Sequence, residues 1–259
     1  MEGIIDTHAH YDDEAFDEDR QMLLASLAPA GISKVINVGA SLRGCRDSFD
    51  LADSHDHIYA ALGVHPSETG DLTEDDMDWI AKKAQDKKVV AIGEIGLDYH
   101  FPDDPTPEHQ QKWFIRQLDL ARNLHLPAII HSRDAAADTL EILKREDFGR
   151  IGGVMHCYSY SKELAEEYLK MGVFFGIGGV LTFKNGKKLK EAVAALPMEA
   201  LLLETDCPYL APEPNRGKRN SSLYLPLVVE EMSRIKGISR EKVIRITSEN
   251  AQRLFHFSR

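Results

Sequence analysis

The sequence predicts an α/β protein, a single (β/α)8 TIM barrel occupying residues 1–259 as one domain. Eight short apolar runs recur along the chain, each followed by a stretch with apolar residues at helical spacing. The runs are continuously apolar instead of alternating, as strands buried on both faces of a parallel sheet should be. No glycine-rich G-x-G-x-x-G turn follows the first run, so nothing supports the runner-up, an open doubly wound sheet built around a dinucleotide. There is no linker, fixed-period repeat or low-complexity tract, and 259 residues is an ordinary length for one barrel.

In order, the strand candidates are Ile4-Ile5, Lys34 to Gly39, Ile58 to Val64, Val89 to Gly96, Pro127 to His131, Gly153 to His156, Val173 to Gly178 and Leu201 to Asp206. Helices are expected near Glu14 to Ala28, Leu42 to Ser54, Asp75 to Gln85, Pro107 to Leu124, Ala135 to Arg145, Ser161 to Met171, Lys187 to Ala195, Leu223 to Lys236 and Arg240 to Phe255. Pro107 to Leu124 shows the pattern best: Phe114, Leu118 and Ala121 fall on one stripe.

A hydrophobic share of 43% and a charged share of 28% are those of a globular chain. The net charge of −11 argues against broad, charge-driven affinity for nucleic acid, which needs phosphates neutralised by Lys and Arg. It does not remove a nucleic-acid enzyme, because two bound divalent cations would reverse the charge locally. Three cysteines (Cys45, Cys157, Cys207) are too few for a disulfide framework and fit a reducing cytoplasm. No membrane span or secretory signal is expected, and no obligate protein partner is evident.

In a barrel of this kind the chemistry sits where strands end at their carboxyl side. His8 and His10 follow the first run, and residues at i and i+2 of an extended chain share a face, with Ala9 turned away. Glu94 lies on the fourth run, His131 and His156 end the fifth and sixth, and Glu204-Thr205-Asp206 ends the eighth. Alone, His131 or His156 reads as a satisfied core histidine, and Glu94 as a rim carboxylate in an ion pair. Four histidines and several acids falling repeatedly at strand ends point instead to a two-metal site. His8, His10 and Asp206 are assigned to one divalent cation and His131 and His156 to another, with Glu94 between them. Mixed imidazole and carboxylate ligation suits Zn2+, Mn2+, Co2+ or Fe2+ and tolerates Mg2+. Cys157 and Cys207 each follow a ligand candidate and read as small buried residues.

The motifs Asp6-Thr7-His8-Ala9-His10, Gly63-Val64-His65-Pro66, Gly93 to Tyr99, His131-Ser132-Arg133, His156-Cys157-Tyr158-Ser159 and Glu204 to Leu210 together resemble the TatD family of metal-dependent deoxyribonucleases, one of the amidohydrolase-like metal barrels. The resemblance spans essentially the full chain. It implies a TIM barrel, two divalent cations, cleavage of DNA phosphodiester bonds, often from the 3′ end, and metal ligands at His8, His10, Glu94, His131, His156 and Asp206. One departure is visible: Ser221-Ser222 follow Asn220 where the family usually has an acidic residue and a proline. That loop is expected near the substrate mouth.

The expected chemistry is metal-assisted hydrolysis in which Asp206 takes the proton of the attacking water. Glu204 is expected to share the strand face of Asp206 and to orient a ligand or a water. His65 and Tyr99 are candidates for contacts to the leaving group or a phosphate, and Arg133, Arg216, Lys218 and Arg219 for contacts to the nucleic-acid backbone. For the cluster from Arg216 to Arg219 a plain solvated loop is the competing account. Tyr209 or Tyr158 could stack on a terminal base, with core or rim packing as the alternative. The substrate expected is DNA, single-stranded or at 3′ ends. Two alternatives remain: hydrolysis of an ester, lactone or amide at the same site, and metal-bound scaffolding without catalysis.

Overall fold

The computed structural model describes residues 3–257. Eight strands, β1 (Ile4–Ala9), β2 (Ile32–Val38), β3 (Ile58–Leu62), β4 (Val89–Asp98), β5 (Ala128–Arg133), β6 (Gly153–Met155), β7 (Phe174–Ile177) and β8 (Leu201–Leu203), lie in one parallel sheet in that order. The ring is drawn together just beyond β8. Ala9 bridges Cys207 in parallel register, and the N–H groups of Thr205 and Asp206 both donate to the His8 carbonyl, at 3.3 and 2.9 Å.

Helices α1 (Arg20–Leu27), α2 (Leu42–Ser54), α3 (Glu74–Lys83), α4 (Pro107–Leu124), α5 (Ala136–Arg145), α6 (Lys162–Lys170), α7 (Lys187–Ala195), α8 (Leu225–Lys236) and α9 (Arg240–Phe255) connect or follow the strands. Local chemistry sets many of their starts. The side chains of Ser41, Thr106, Ser161 and Ser239 each accept from an N–H in the first turn of the helix that follows, and Thr73 and Asp76 form a reciprocal capping box. The helix expected from Glu14 begins only at Arg20. Glu14–Phe16 is a single 3-10 turn capped by Asp13, and the Arg20 guanidinium donates to the carbonyls of Tyr11, Asp12 and Asp13, which takes that segment out of the helix.

Two apolar layers hold the barrel. Helices cover its outside through residues such as Leu24, Phe114, Leu118, Tyr168, Val228 and Met232. Ile5, Ile36, Val38, Ala61, Val90, Ile129, Val154 and Leu202 form a second cluster that packs with Leu254, Phe255 and Phe257. Asn250 of α9 donates to the carbonyls of Met198 and Leu201, and Ser248 to that of Gly3, so the last helix is tied to the amino ends of β8 and β1. One end of the barrel is thereby closed, and the carboxyl ends of the strands form the open rim. No helix among the described residues is long and apolar enough to cross a membrane.

Candidate metal centre

At the rim lies a cleft of about 580 Å³, lined among others by His10, His65, Glu94, Asp98, His131, His156 and Asp206. Strand alternation places its first two imidazoles: Ala9 is fully buried on the far side, and the Nε2 atoms of His8 and His10 lie 3.1 Å apart. The Nδ1 of His10 faces the Val38 carbonyl at 2.8 Å. A carbonyl only accepts, so Nδ1 carries the hydrogen and, in the neutral ring, Nε2 presents a lone pair toward His8. Around these atoms stand carboxylates. Glu94 Oε2 is 3.4 Å from His8 Nε2, and Asp206 Oδ1 is 3.4 Å from His10 Nε2 and 3.8 Å from His8 Nε2. Glu94 Oε1 is 2.7 Å from His131 Nδ1 and 3.6 Å from His156 Nε2.

A convergence of lone pairs on one point needs positive charge at its centre, a proton or a metal ion. The donors are the right kind for a divalent metal. In each of the sets His8, His10, Asp206 and His8, Glu94, His156, the ligand atoms lie within 4.8 Å of one another. His8 belongs to both. His156 stacks on His8 with ring centroids 3.5 Å apart, whereas His131 lies 6.4 Å from His156 and joins the group through Glu94. His131 also places Nε2 3.0 Å from Asp98 Oδ2, which fixes its proton there and turns Nδ1 to Glu94.

The titration behaviour reflects the same demand. Burial favours neutral rings, yet Asp206 and Glu94 lift His10 to about 9, Asp98 and Glu94 lift His131 to about 9, and Glu204, Glu94 and Asp206 lift His156 to about 10. Burial and the neighbouring His156 charge keep His8 below the ordinary range. Burial and His131 push His65 down to about 4. Burial would raise Glu94 and Asp206, but for both the His156 charge prevails, joined by His131 at Glu94 and by His10 at Asp206, and both stay ionised.

Other assigned residues fall elsewhere. β8 ends at Leu203, and Asp206 adopts a left-handed conformation (φ 58°), so Glu204 and Asp206 do not share a strand face as expected. Asp206 lines the cleft, while Glu204 is buried beneath it. Its Oε1 accepts from the Cys157 N–H at 2.6 Å and lies 3.1 Å from His156 Nδ1 without the alignment of a hydrogen bond. Arg133 lines the cleft; Tyr99 does not, its hydroxyl donating to Asp138 at 2.9 Å. Arg216 lies over the Phe183 ring, Lys218 is 3.5 Å from Asn215, and Arg219 pairs with Asp19 while covering Phe16. None of the last three lines the cleft. Tyr158 is a buried core residue, and Cys207 is buried as expected. Cys157 is half-buried instead of buried as expected: it lies beyond the end of β6 with a left-handed backbone (φ 45°).

The Ser221-Ser222 departure also lies away from the mouth. Ser222 Oγ donates to Asp6 Oδ2 at 2.6 Å, so the Tyr11 hydroxyl must donate to Ser222 Oγ at 2.8 Å. Asp6 is fully buried and also accepts from the N–H groups of His8 and Thr205 and from the Thr205 hydroxyl. Burial lifts it to about 7 despite these donors. It buttresses the β1–β8 closure directly behind His8. Asp6 and Asp98 are site residues that strand-end reasoning passes over. For Asp98 the signal is its place four residues after Glu94, two steps along one face of β4.

A parallel barrel with imidazoles and carboxylates converging at its carboxyl rim has the architecture of a metal-dependent hydrolase. The family model described as TatD related DNase matches residues 5–256, and the chain belongs to that family. It is 42% identical over 255 residues to "Uncharacterized metal-dependent hydrolase YabD" of Bacillus subtilis, covering 98% of this chain and 100% of that protein. A relative from Rahnella named "3'-5' ssDNA/RNA exonuclease TatD" is 33% identical over 249 residues, 94% of each chain. Among solved structures, YjjV, a TatD homologue from Escherichia coli K12, superposes with a TM-score of 0.91 at 33% identity over 98% of both chains.

Proposed function

We propose that the chain is a 3′-5′ exodeoxyribonuclease that hydrolyses DNA phosphodiester bonds with the help of two divalent cations. The observation that carries this is the cleft itself: an ionised, accessible Asp206 between His10 and His156, in a group of imidazoles and carboxylates whose ligand atoms converge closely enough to hold divalent cations. His8, His10 and Asp206 would hold one cation, His131 and His156 the other, with Glu94 shared. Such ions (Zn2+, Mn2+, Mg2+, Co2+ or Fe2+) supply Lewis acidity and bring the pKa of water from about 15.7 towards 7. Asp206 Oδ1 receives the proton of the water that attacks phosphorus. Glu204, held by the Cys157 N–H, keeps His156 in place from below. His65 and Arg133 take the phosphate side of the cleft. Arg216, Lys218 and Arg219 have their own partners and no assigned contact. Cys45, Cys157 and Cys207 are free thiols, which suits a reducing compartment and supports placing the enzyme in the cytoplasm.

The test is release of nucleotides from 5′-labelled single- and double-stranded oligonucleotides by the cation-loaded protein, run beside lactone and carboxylester substrates. Glu94→Ala and Asp206→Asn should each lower turnover by at least about a thousandfold while the thermal transition stays cooperative. Near wild-type rates in either variant, or full turnover after exhaustive chelation, would defeat this assignment, and turnover of lactones alone would move the substrate class.

A further inference from the structure

Phe101 stands on the loop after β4, its ring 53% exposed, on the lip of the metal-ready cleft. The loop is fixed at its base, where Gln110 of α4 accepts from the Asp98 N–H and donates to the carbonyls of Asp98 and Pro105, each at 2.8 Å. His100 meets the Phe101 ring edge-on, and the Arg133 guanidinium lies over it, 5.1 Å from the centroid. Among the described residues lining the cleft Arg133 is the single Lys or Arg; the other charged lining groups include Asp12, Asp13, Glu68, Asp104 and the acids of the metal centre. An apolar planar face left in water beside the one fixed cation of an acidic cleft matches a unit that is both flat and anionic. A nucleotide is such a unit.

We infer that Phe101 is the stacking face for the terminal unpaired nucleobase of a single-stranded polynucleotide, and that Arg133 holds the phosphate attached to it. The inference rests on the nuclease assignment above and names the part of the substrate that the cleft selects. Base–aromatic stacking is sequence-tolerant, because every base has a π face, so all four terminal bases are accepted.

The experiment compares a single-stranded oligonucleotide with one carrying a tetrahydrofuran abasic residue at its 3′ end. Phe101→Ala should lower kcat/KM on the natural strand by about five- to hundredfold, mainly through KM. The wild type should lose a similar factor on the abasic strand, and Phe101→Ala should lose little more there, while Phe101→Trp keeps the preference. A second readout needs no turnover: the fluorescence of a 3′-terminal 2-aminopurine should be quenched by Asp206→Asn protein and not by the Asp206→Asn, Phe101→Ala double variant. Equal losses on both strands, or a base preference lost only in Tyr209→Ala, overturn the stacking role and leave the nuclease assignment standing. Absence of DNA hydrolysis with retained quenching does the reverse.

Discussion

Gly176 in β7 offers a sharp test of how the metal centre is held. A Cβ built there would lie 1.9 Å from Glu204 Oε2, 2.4 Å from its Cδ and 2.8 Å from Oε1. The backbone at Gly176 is ordinary strand, so alanine meets no conformational penalty and the whole effect falls on the carboxylate. A carboxylate at the end of a flexible side chain normally moves aside cheaply. This one is 1% exposed and tied to the Cys157 N–H at 2.6 Å, and it has to retreat by more than an ångström. Overpacking a core costs about 1–3 kcal/mol, and stripping a buried carboxylate of its donor costs about 1.5–3 kcal/mol. The two are alternative outcomes of one displacement, so Gly176→Ala should cost about 1–3 kcal/mol and lower Tm by about 2–12 °C. Calorimetry on the metal-free protein reads the cost, and metal analysis after dialysis reads cation retention, which should fall as His156 loses its support. The decisive arm is a double-mutant cycle. With Glu204→Ala in place the new methyl enters vacated space, and its cost should drop below about 1 kcal/mol. The same cost in both backgrounds would refute the account.

Further outcomes follow from the charges. His10, His131 and His156 are protonated at neutral pH in the metal-free protein, and a cation must displace those protons. Apparent cation affinity should therefore rise with pH through about 9, with proton release measurable by calorimetry in buffers of different ionisation enthalpy; a flat profile from pH 6 to 9 would contradict the cluster. Ser222→Ala removes a donor to Asp6, whose pKa of about 7 lies above the unfolded value. A raised carboxyl loses stability as pH climbs from its unfolded value of about 4 to its folded value of about 7, above which the native group is ionised and depends most on its donors. The variant should therefore be destabilised by about 1–3 kcal/mol at pH 8 and by less at pH 5, where Asp6 is protonated, read by denaturant melts. On single-stranded DNA, Arg133→Ala should raise KM several-fold, and Arg219→Ala, whose guanidinium is spent on Asp19 and the Ala15 carbonyl, should leave it within about twofold.

The architecture was legible because each strand of a parallel barrel is a bare apolar run and each helix an amphipathic one. Val89 to Gly96 and Pro107 to Leu124 carry those two signatures with little ambiguity. The ends were less so: β4 continues to Asp98, because Gly96 lets the chain run against the His131 carbonyl, where a Cβ would stand 1.9 Å away. The six residues assigned to metal share one rim because strand ends converge whatever the loops do. Which rings face one another was not legible, since that depends on side-chain orientation, and the stacking of His156 on His8 is a contact between residues 148 positions apart in sequence. The arginines after β8 misled for a related reason. A basic run near a substrate mouth looks available until Asp19, Phe16 and Phe183 are seen to occupy it. Phe101 carried no pattern at all; only its exposure gives it away.

The tie between Ser248 and Gly3, with Phe257 tucked among the residues beneath the barrel, puts both ends of the described chain on the face opposite the cleft. An affinity handle or a surface tether at either end therefore leaves the rim facing outward. A protein immobilised by its amino end and one immobilised by its carboxyl end should present the same working face to solution. Joining the two ends through a short linker would open the rim-side loops as sites for new termini.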